Sequence, residues 1–364
     1  MMATTEVRGS IYSRPSDCRT VGQSDCPTDS AAALRHWLDT ARRNPCWQDW
    51  RWQVRQALDA GDLARLGMVS APAAHAARVF PARVTPYYLA LADPADRTDP
   101  IMAQCLPTAA ELVPDDGEAD PFNEARHAPV PGVVQRFPDR VLVLASASCA
   151  TNCRHCTRRH TLGRQATVRS AAQLQQVVAF LRASPQVREV ILSGGDPLLL
   201  SDTALLRLVR TFAALPQIDA IRIGTRAPVV LPMRVTPELA RALGRCKRVW
   251  VNTQFNHVRE ITPEAAAACD RLVEAGMPVS NQSVLLRGVN DSVDAMVALC
   301  AGLQRIRVRP YYAFICDPVA GTAHLRTSRA QARAIARGMA SRLGGLAVPR
   351  FVTDEPGMPH KMTV

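Results

Sequence analysis

Cys149, Cys153 and Cys156 stand four and three residues apart in the segment SASCATNCRHCTRRH. Thiolates at these offsets gather around one short loop. Three cysteine ligands leave a 4Fe–4S cubane one ligand short, so its fourth iron stays open to a small molecule. The competing chemistry is a structural zinc, whose closed sites want four protein ligands; His155 or His160 could supply the fourth. The loop alone favours a cluster over zinc and leaves both open. Three buried free thiols without a metal form the weaker third reading.

Composition narrows the setting. The chain has 364 residues, 47% hydrophobic and 21% charged, enough for one large α/β domain with an added element. It has no run of 18 apolar residues, so no transmembrane candidate. The first 30 residues are polar and lack the basic start and apolar stretch of a signal peptide. They are expected to form a mobile arm on a cytosolic protein. Eleven cysteines, an odd number, argue against a disulfide framework and for buried thiols plus a metal site. The net charge of +12 raises the question of nucleic acid. However, the arginines are dispersed and only 5% of residues are aromatic, so stacking platforms are scarce. Anionic small molecules suit such an arginine content better.

Something must hold the cysteine loop in place. Residues 31–43 and 47–60 carry apolar residues at three- and four-residue spacing, which predicts amphipathic helices. Pro-rich stretches around 71–87 and 93–138 suit irregular structure. From 140 onward, short β-branched runs recur at 140–146, 187–196, 218–226, 248–255, 277–286 and 305–314. Helical segments such as SAAQLQQVVAFLRA and PELARALGRC lie between them. This is the rhythm of βα units and predicts a parallel sheet covered by helices. Spacing alone does not decide between an open sheet and a curled one. A last helix over 328–343 and a possible strand over 346–352 follow. The expected divisions are an arm (1–30), a helical and irregular region (31–135), a sheet domain (136–330) and a C-terminal segment (331–364).

The cysteine loop follows the first run, at the end where a barrel keeps its active site. The second run ends in Ser193-Gly194-Gly195-Asp196. By itself this is a tight turn, with Asp196 available as a helix cap. Placed after the cysteine loop, it resembles the motif by which radical S-adenosylmethionine (SAM) enzymes hold the methionine amino group. At CRHCTRRH, SGGDPLLLSD, RIGTRAPVVLP, NQSVLLRGVND and IRVRPYY the chain resembles lysine 2,3-aminomutase and its relatives. The similarity runs from Trp47-Gln48-Asp49-Trp50 to the C-terminus.

That resemblance implies an α/β fold, an incomplete (β/α)6 radical SAM barrel with a helical N-terminal region. The implied cofactors are a 4Fe–4S cluster on Cys149, Cys153 and Cys156, SAM, and pyridoxal 5′-phosphate (PLP). Cofactor binding is implied for Ser193, Gly194, Gly195, Asp196 and Gln282. Lys361, in GMPHKMTV, matches the lysine that holds PLP as an internal aldimine; on its own it reads as a solvated tail lysine. Arg140 matches a residue near the PLP phosphate, a task suited to a fixed cationic fork. Arg158 matches the arginine that binds the substrate carboxylate in a bidentate contact. Asp317 and Asp354 match the pair that binds the distal ammonium of the substrate. Two carboxylates on one site are costly unless a cation joins them, so the pair favours a cationic side chain and disfavours glutamate.

The implied activity is a SAM-initiated 1,2-shift of the α-amino group of L-lysine to its β-carbon. Arginine as substrate is the runner-up, and a lysine mutase serving β-lysylation of a translation factor is another. A zinc-bearing RNA-binding module is the non-enzyme alternative. The implied partners are an amino-acid substrate and an electron donor such as flavodoxin or ferredoxin, without nucleic acid or membrane; a homo-oligomer is compatible. Several positions depart from the family pattern. Gln254 stands for a histidine, and Phe137 and Phe314 stand for tyrosines. GMPHK stands for a glycine-rich loop and should be stiffer. Ser292 replaces a zinc cysteine, and the cysteine-rich extension of the lysine-fermenting enzymes is missing, so no structural zinc is expected.

Overall fold

The computed structural model describes residues 30–364 apart from Gln165, Arg169 and Pro359. The expected arm lies outside the described residues except for Ser30. Among the described residues, nine strands form one sheet whose spatial order follows the chain. They are β1 (Val133–Phe137), β2 (Arg140–Ser146), β3 (Glu189–Gly194), β4 (Ala220–Gly224), β5 (Val249–Thr253), β6 (Val279–Leu285), β7 (Arg309–Ile315), β8 (Arg350–Thr353) and β9 (Met362–Thr363). Strands β2 to β8 are parallel; β1 and β9 add antiparallel margins. The first and last strands do not pair, so the sheet is an incomplete barrel.

The six expected runs are β2 to β7. The possible strand near 350 is β8, which makes the parallel set seven rather than six. The sheet also crosses two expected divisions, because β1 spans position 135 and pairs with β2, while β8 pairs with β7.

Alternation explains the packing. Val141 and Val143, Val190 and Leu192, Ile221 and Ile223, and Val249 and Val251 are buried. They lie in one core with Leu174, Val177, Leu205 and Leu208 of the covering helices. Residues between them face the barrel interior, as the two-residue period of a strand requires. Each barrel helix starts on a hydroxyl. Ser170, Ser201, Thr236, Thr262, Ser292 and Ser328 accept from the backbone N–H three residues on, satisfying a donor the helix cannot. Ser292, the zinc-cysteine position of the resemblance, therefore has a local structural task.

The N-terminal helices share this core through Leu34, Trp50 and Tyr88. The single helix expected over 47–60 is instead Trp50–Arg55 followed by Ala60–Arg65. Asp59 interrupts it by capping the second piece through Gly61 and Asp62 N–H. No helix of the described residues is long and apolar enough to cross a membrane.

Candidate active site

The cysteine loop leaves β2 at the carboxyl end of the sheet and lies against the N-terminal region. Asn152 N–H donates to the Arg83 carbonyl (2.8 Å), its side chain to the Pro81 carbonyl (2.9 Å), and Arg154 N–H to the Gln104 carbonyl (2.9 Å). Arg154, fully buried, donates to both oxygens of Glu111 at 2.9 and 2.5 Å and to the carbonyls of Phe80 and Pro81. Arg159 closes on the same carboxylate. Two arginines of the CRHCTRRH motif are thus the clamp that holds the loop. Removing one partner of such a buried set costs about 3–5 kcal/mol. Glu111→Gln should lower unfolding stability by that order in chemical denaturation of the anaerobic protein.

Cys149 and Cys156 each feel neighbouring thiols of the loop. Burial, with Cys156, Asp196 and Cys153 nearby, raises the Cys149 pKa well above the ordinary thiol value. Burial and Cys153 push Cys156 up to about 11. Such partly buried thiols, costly to ionise alone, fit irons that would neutralise their thiolates. Among the described residues, no three His, Cys, Asp or Glu side chains are grouped to hold a single metal ion. The histidines of the zinc reading are engaged elsewhere. His160 Nε2 meets the Ala320 carbonyl at 3.0 Å, and His155 Nε2 meets Gln254 Nε2 at 3.0 Å. Burial, with Arg226 and Arg159 beside it, lowers His155 to about 3 and keeps it neutral. Gln254, the departure from histidine, thus gives His155 a neutral partner.

The SGGD turn is built by close approach. A Cβ on Gly194 (φ +106°) would come within 2.4 Å of the Ser146 carbonyl oxygen, and one on Gly195 within 2.3 Å of the Ser148 carbonyl oxygen. Gly195 and Asp196 N–H donate to these same two oxygens. Only glycine fits, so the turn is locked beside the cysteine loop. Ser193 and both glycines remain partly exposed, which fits a polar ligand above the loop. The Asp196 carboxylate does not face that ligand. It is buried and accepts from Thr225 Oγ1 (2.7 and 2.9 Å), Leu198 N–H (2.9 Å) and Arg226 N–H (2.9 Å). The cap reading describes it, and it ties the turn to the segment after β4.

Arg158 is already in a bidentate contact, with Glu124 rather than a ligand. Its Nε and Nη2 meet the two Glu124 oxygens at 2.9 and 2.5 Å. That arrangement leaves the Nη1 side for an incoming carboxylate. Glu124 thus fixes the fork in advance. Glu124→Gln should raise the substrate KM on the order of tenfold, about 1.4 kcal/mol, with kcat nearly unchanged. Steady-state assays would separate the two constants.

At the far margin, β7 and β8 deliver Asp317 and Asp354 to one place. Burial and the Asp354 carboxylate push Asp317 up to about 7, against the pull of Lys361 and Arg136. Burial also opposes ionisation of Asp354, but Lys361 and Arg136 hold it below the usual carboxylate range. Its partners are Lys361 Nζ at 2.8 Å and Arg136 Nη2 at 3.0 Å. Lys361 is therefore no solvated tail lysine. Pairing of β9 with β8 anchors the segment that carries it. Phe137 and Phe314 face its ammonium, with ring centres 5.5 and 5.2 Å away, a favourable cation–π arrangement. The two departures from tyrosine flank this lysine. Arg140 opens β2 with its guanidinium 4.3 Å from the Phe137 ring centre. Gln282 lies half-buried on β6, paired in register with Tyr312. An amine, a nearby guanidinium and an aromatic wall fit PLP. The stiffness expected of GMPHK involves Pro359, outside the described residues.

Four side chains escaped the sequence reading: Glu111, Glu124, Arg136 and Arg226. The last donates from Nη1 to Cys153 Sγ at 2.7 Å. None belongs to a local spacing pattern with its partner.

Residues 143–300 match the Radical SAM superfamily. The L-lysine 2,3-aminomutase of Clostridium subterminale is 43% identical over 324 residues, covering 87% of this chain and 78% of that protein. That of Bacillus subtilis is 38% identical, covering 90% and 70%. The glutamate 2,3-aminomutase of Clostridioides difficile is 34% identical, covering 85% and 75%. Similarity of this extent decides the assignment: the chain belongs to the lysine 2,3-aminomutase family of radical SAM enzymes.

Proposed function

We propose that the protein moves the α-amino group of L-lysine to its β-carbon, acting as an isomerase. The observation that carries this reading is the Asp317–Asp354 pair beside Lys361. Once Lys361 is engaged with PLP, its ammonium no longer compensates the pair. Arg136 remains and offsets one of the two carboxylates. The site then has the charge to accept one more cation, as on the lysine side chain, and would repel the carboxylate of glutamate.

Bound together, the 4Fe–4S cluster and SAM supply a carbon-centred radical, and PLP carries the migrating nitrogen. The rest is positioning by this chain. Cys149, Cys153 and Cys156 would hold three irons, and the exposed edge of Ser193, Gly194 and Gly195 would receive the SAM amino group. Lys361 would hold PLP, with Arg140 toward its phosphate and Gln282 on the barrel wall. Arg158, fixed by Glu124, would take the substrate α-carboxylate at one end, while Asp317 and Asp354 hold the distal ammonium at the other. Two anchored ends set which carbon faces the radical source, and this orientation is the main protein contribution. A flavodoxin or ferredoxin would deliver the electron.

Anaerobic incubation with SAM, PLP, a strong reductant and either lysine, arginine or glutamate tests the substrate. Chromatography should show a β-isomer from lysine at the highest kcat/KM. A preference for arginine or glutamate would contradict the assignment.

A further inference from the structure

Arg226 lies where no spacing rule points, and its surroundings are unusually complete. It follows β4, with its backbone N–H held by Asp196 at 2.9 Å. Its Nη1 donates to Cys153 Sγ at 2.7 Å. Nη2 donates to Glu260 Oε1 (2.7 Å), Gln104 Oε1 (2.5 Å) and Tyr88 Oη (3.0 Å), and Nε to the Gln254 carbonyl (3.2 Å). All three guanidinium nitrogens are fixed, and Arg226 and Glu260 are both buried. Glu260 is held in turn by Tyr88 Oη (2.7 Å) and by the N–H groups of Asn256 and His257.

We infer that Arg226 sets the reduction potential of the cluster by holding a permanent cation and an N–H donor on the Cys153 sulfur. This rests on the reading of Cys149, Cys153 and Cys156 as cluster ligands. Reducing a 4Fe–4S cluster from the 2+ to the 1+ state adds one electron from a donor of the flavodoxin or ferredoxin class, with no bond to carbon made or broken. A fixed cation at a ligand sulfur stabilises the more negative, reduced state, and hydrogen bonds to cluster sulfurs act in the same direction. Low dielectric strengthens both effects. Glu260 opposes them by neutralising part of the cation. The Asp196 bond to Arg226 N–H gives the SGGD turn a second use, since it positions this arginine as well as shaping the turn.

The test is EPR-monitored redox titration of anaerobically reconstituted protein, after iron and sulfide determination. Arg226→Gln should weaken reduction at least tenfold, a shift of about 59 mV to more negative potential for this one-electron couple. Glu260→Gln should shift it the opposite way, and Arg226→Lys should stay nearer the wild type than Arg226→Gln does. Opposite signs separate charge tuning from a merely structural role, which would give no such ordering. Should Arg226→Gln lose the cluster, Glu260→Gln carries the test, and an unshifted potential in it overturns the inference. Wild-type protein without iron and sulfide overturns the cluster reading together with this one. A wild-type cluster whose potential is unmoved in the variants overturns this one alone.

Discussion

Lys361→Ala should abolish β-amino-acid formation while leaving the 4Fe–4S cluster and its absorbance intact. The loss should be on the order of 10⁴-fold or more, because an amine held at an effective molarity of about 10⁵ M or above is replaced by whatever amine diffuses in. Removing Lys361 also leaves Asp354 paired only with Arg136 and takes the ammonium from between Phe137 and Phe314. The variant should therefore lose the absorbance of lysine-bound PLP as well as turnover. Spectra and product assays on the same sample check both. Unchanged turnover would remove Lys361 from the PLP site.

Asp317→Asn should cut kcat/KM for lysine by about 2–5 kcal/mol, roughly 30-fold to several thousand-fold, the cost of deleting one partner of a desolvated charge pair. The same carboxylate predicts a pH signature. Burial and Asp354 raise Asp317 to about 7 even against the pull of the Lys361 ammonium, so with Lys361 engaged it gains a proton at or above that value as pH falls. A protonated Asp317 no longer attracts the substrate ammonium. Wild-type kcat/KM for lysine should therefore decline by about tenfold per pH unit below 7. The decline should be absent in Asp317→Asn, since the amide does not titrate. The stability effect runs the same way in pH but with opposite consequence. A carboxyl whose pKa is raised on folding stabilises the fold while protonated and loses that contribution as pH rises through about 7.

The sheet was readable because its signals are local. Runs such as Val141–Val143 and Ile221–Ile223 alternate within a few residues, and each barrel helix opens on a Ser or Thr cap. The exceptions were local choices as well: Asp59 cut the helix expected over 47–60, and β8 was short. The cysteine loop was readable for the same reason, since three ligands fall within eight residues. What escaped lies in long-range charge pairing. Arg136 meets Asp354 across 218 positions, Arg226 meets Cys153 across 73, and Arg158 meets Glu124 across 34. A surface arginine and a buried one look alike until the fold brings a partner. Asp196 shows the converse: a motif residue with an expected ligand role has its carboxylate committed to Thr225, Leu198 and Arg226. Phe137 and Phe314, legible only as lost hydroxyls, flank the Lys361 ammonium.

The central claim is an intramolecular nitrogen shift, and isotope position measures it directly. L-Lysine carrying ¹⁵N on its α-amino group and ¹³C at its β-carbon would be incubated anaerobically with the reconstituted enzyme, SAM, PLP and reductant, and the product examined by NMR. The account predicts a β-amino acid in which ¹⁵N is bonded to the labelled β-carbon. Nitrogen retained on the α-carbon, or lost to ammonia, would contradict it.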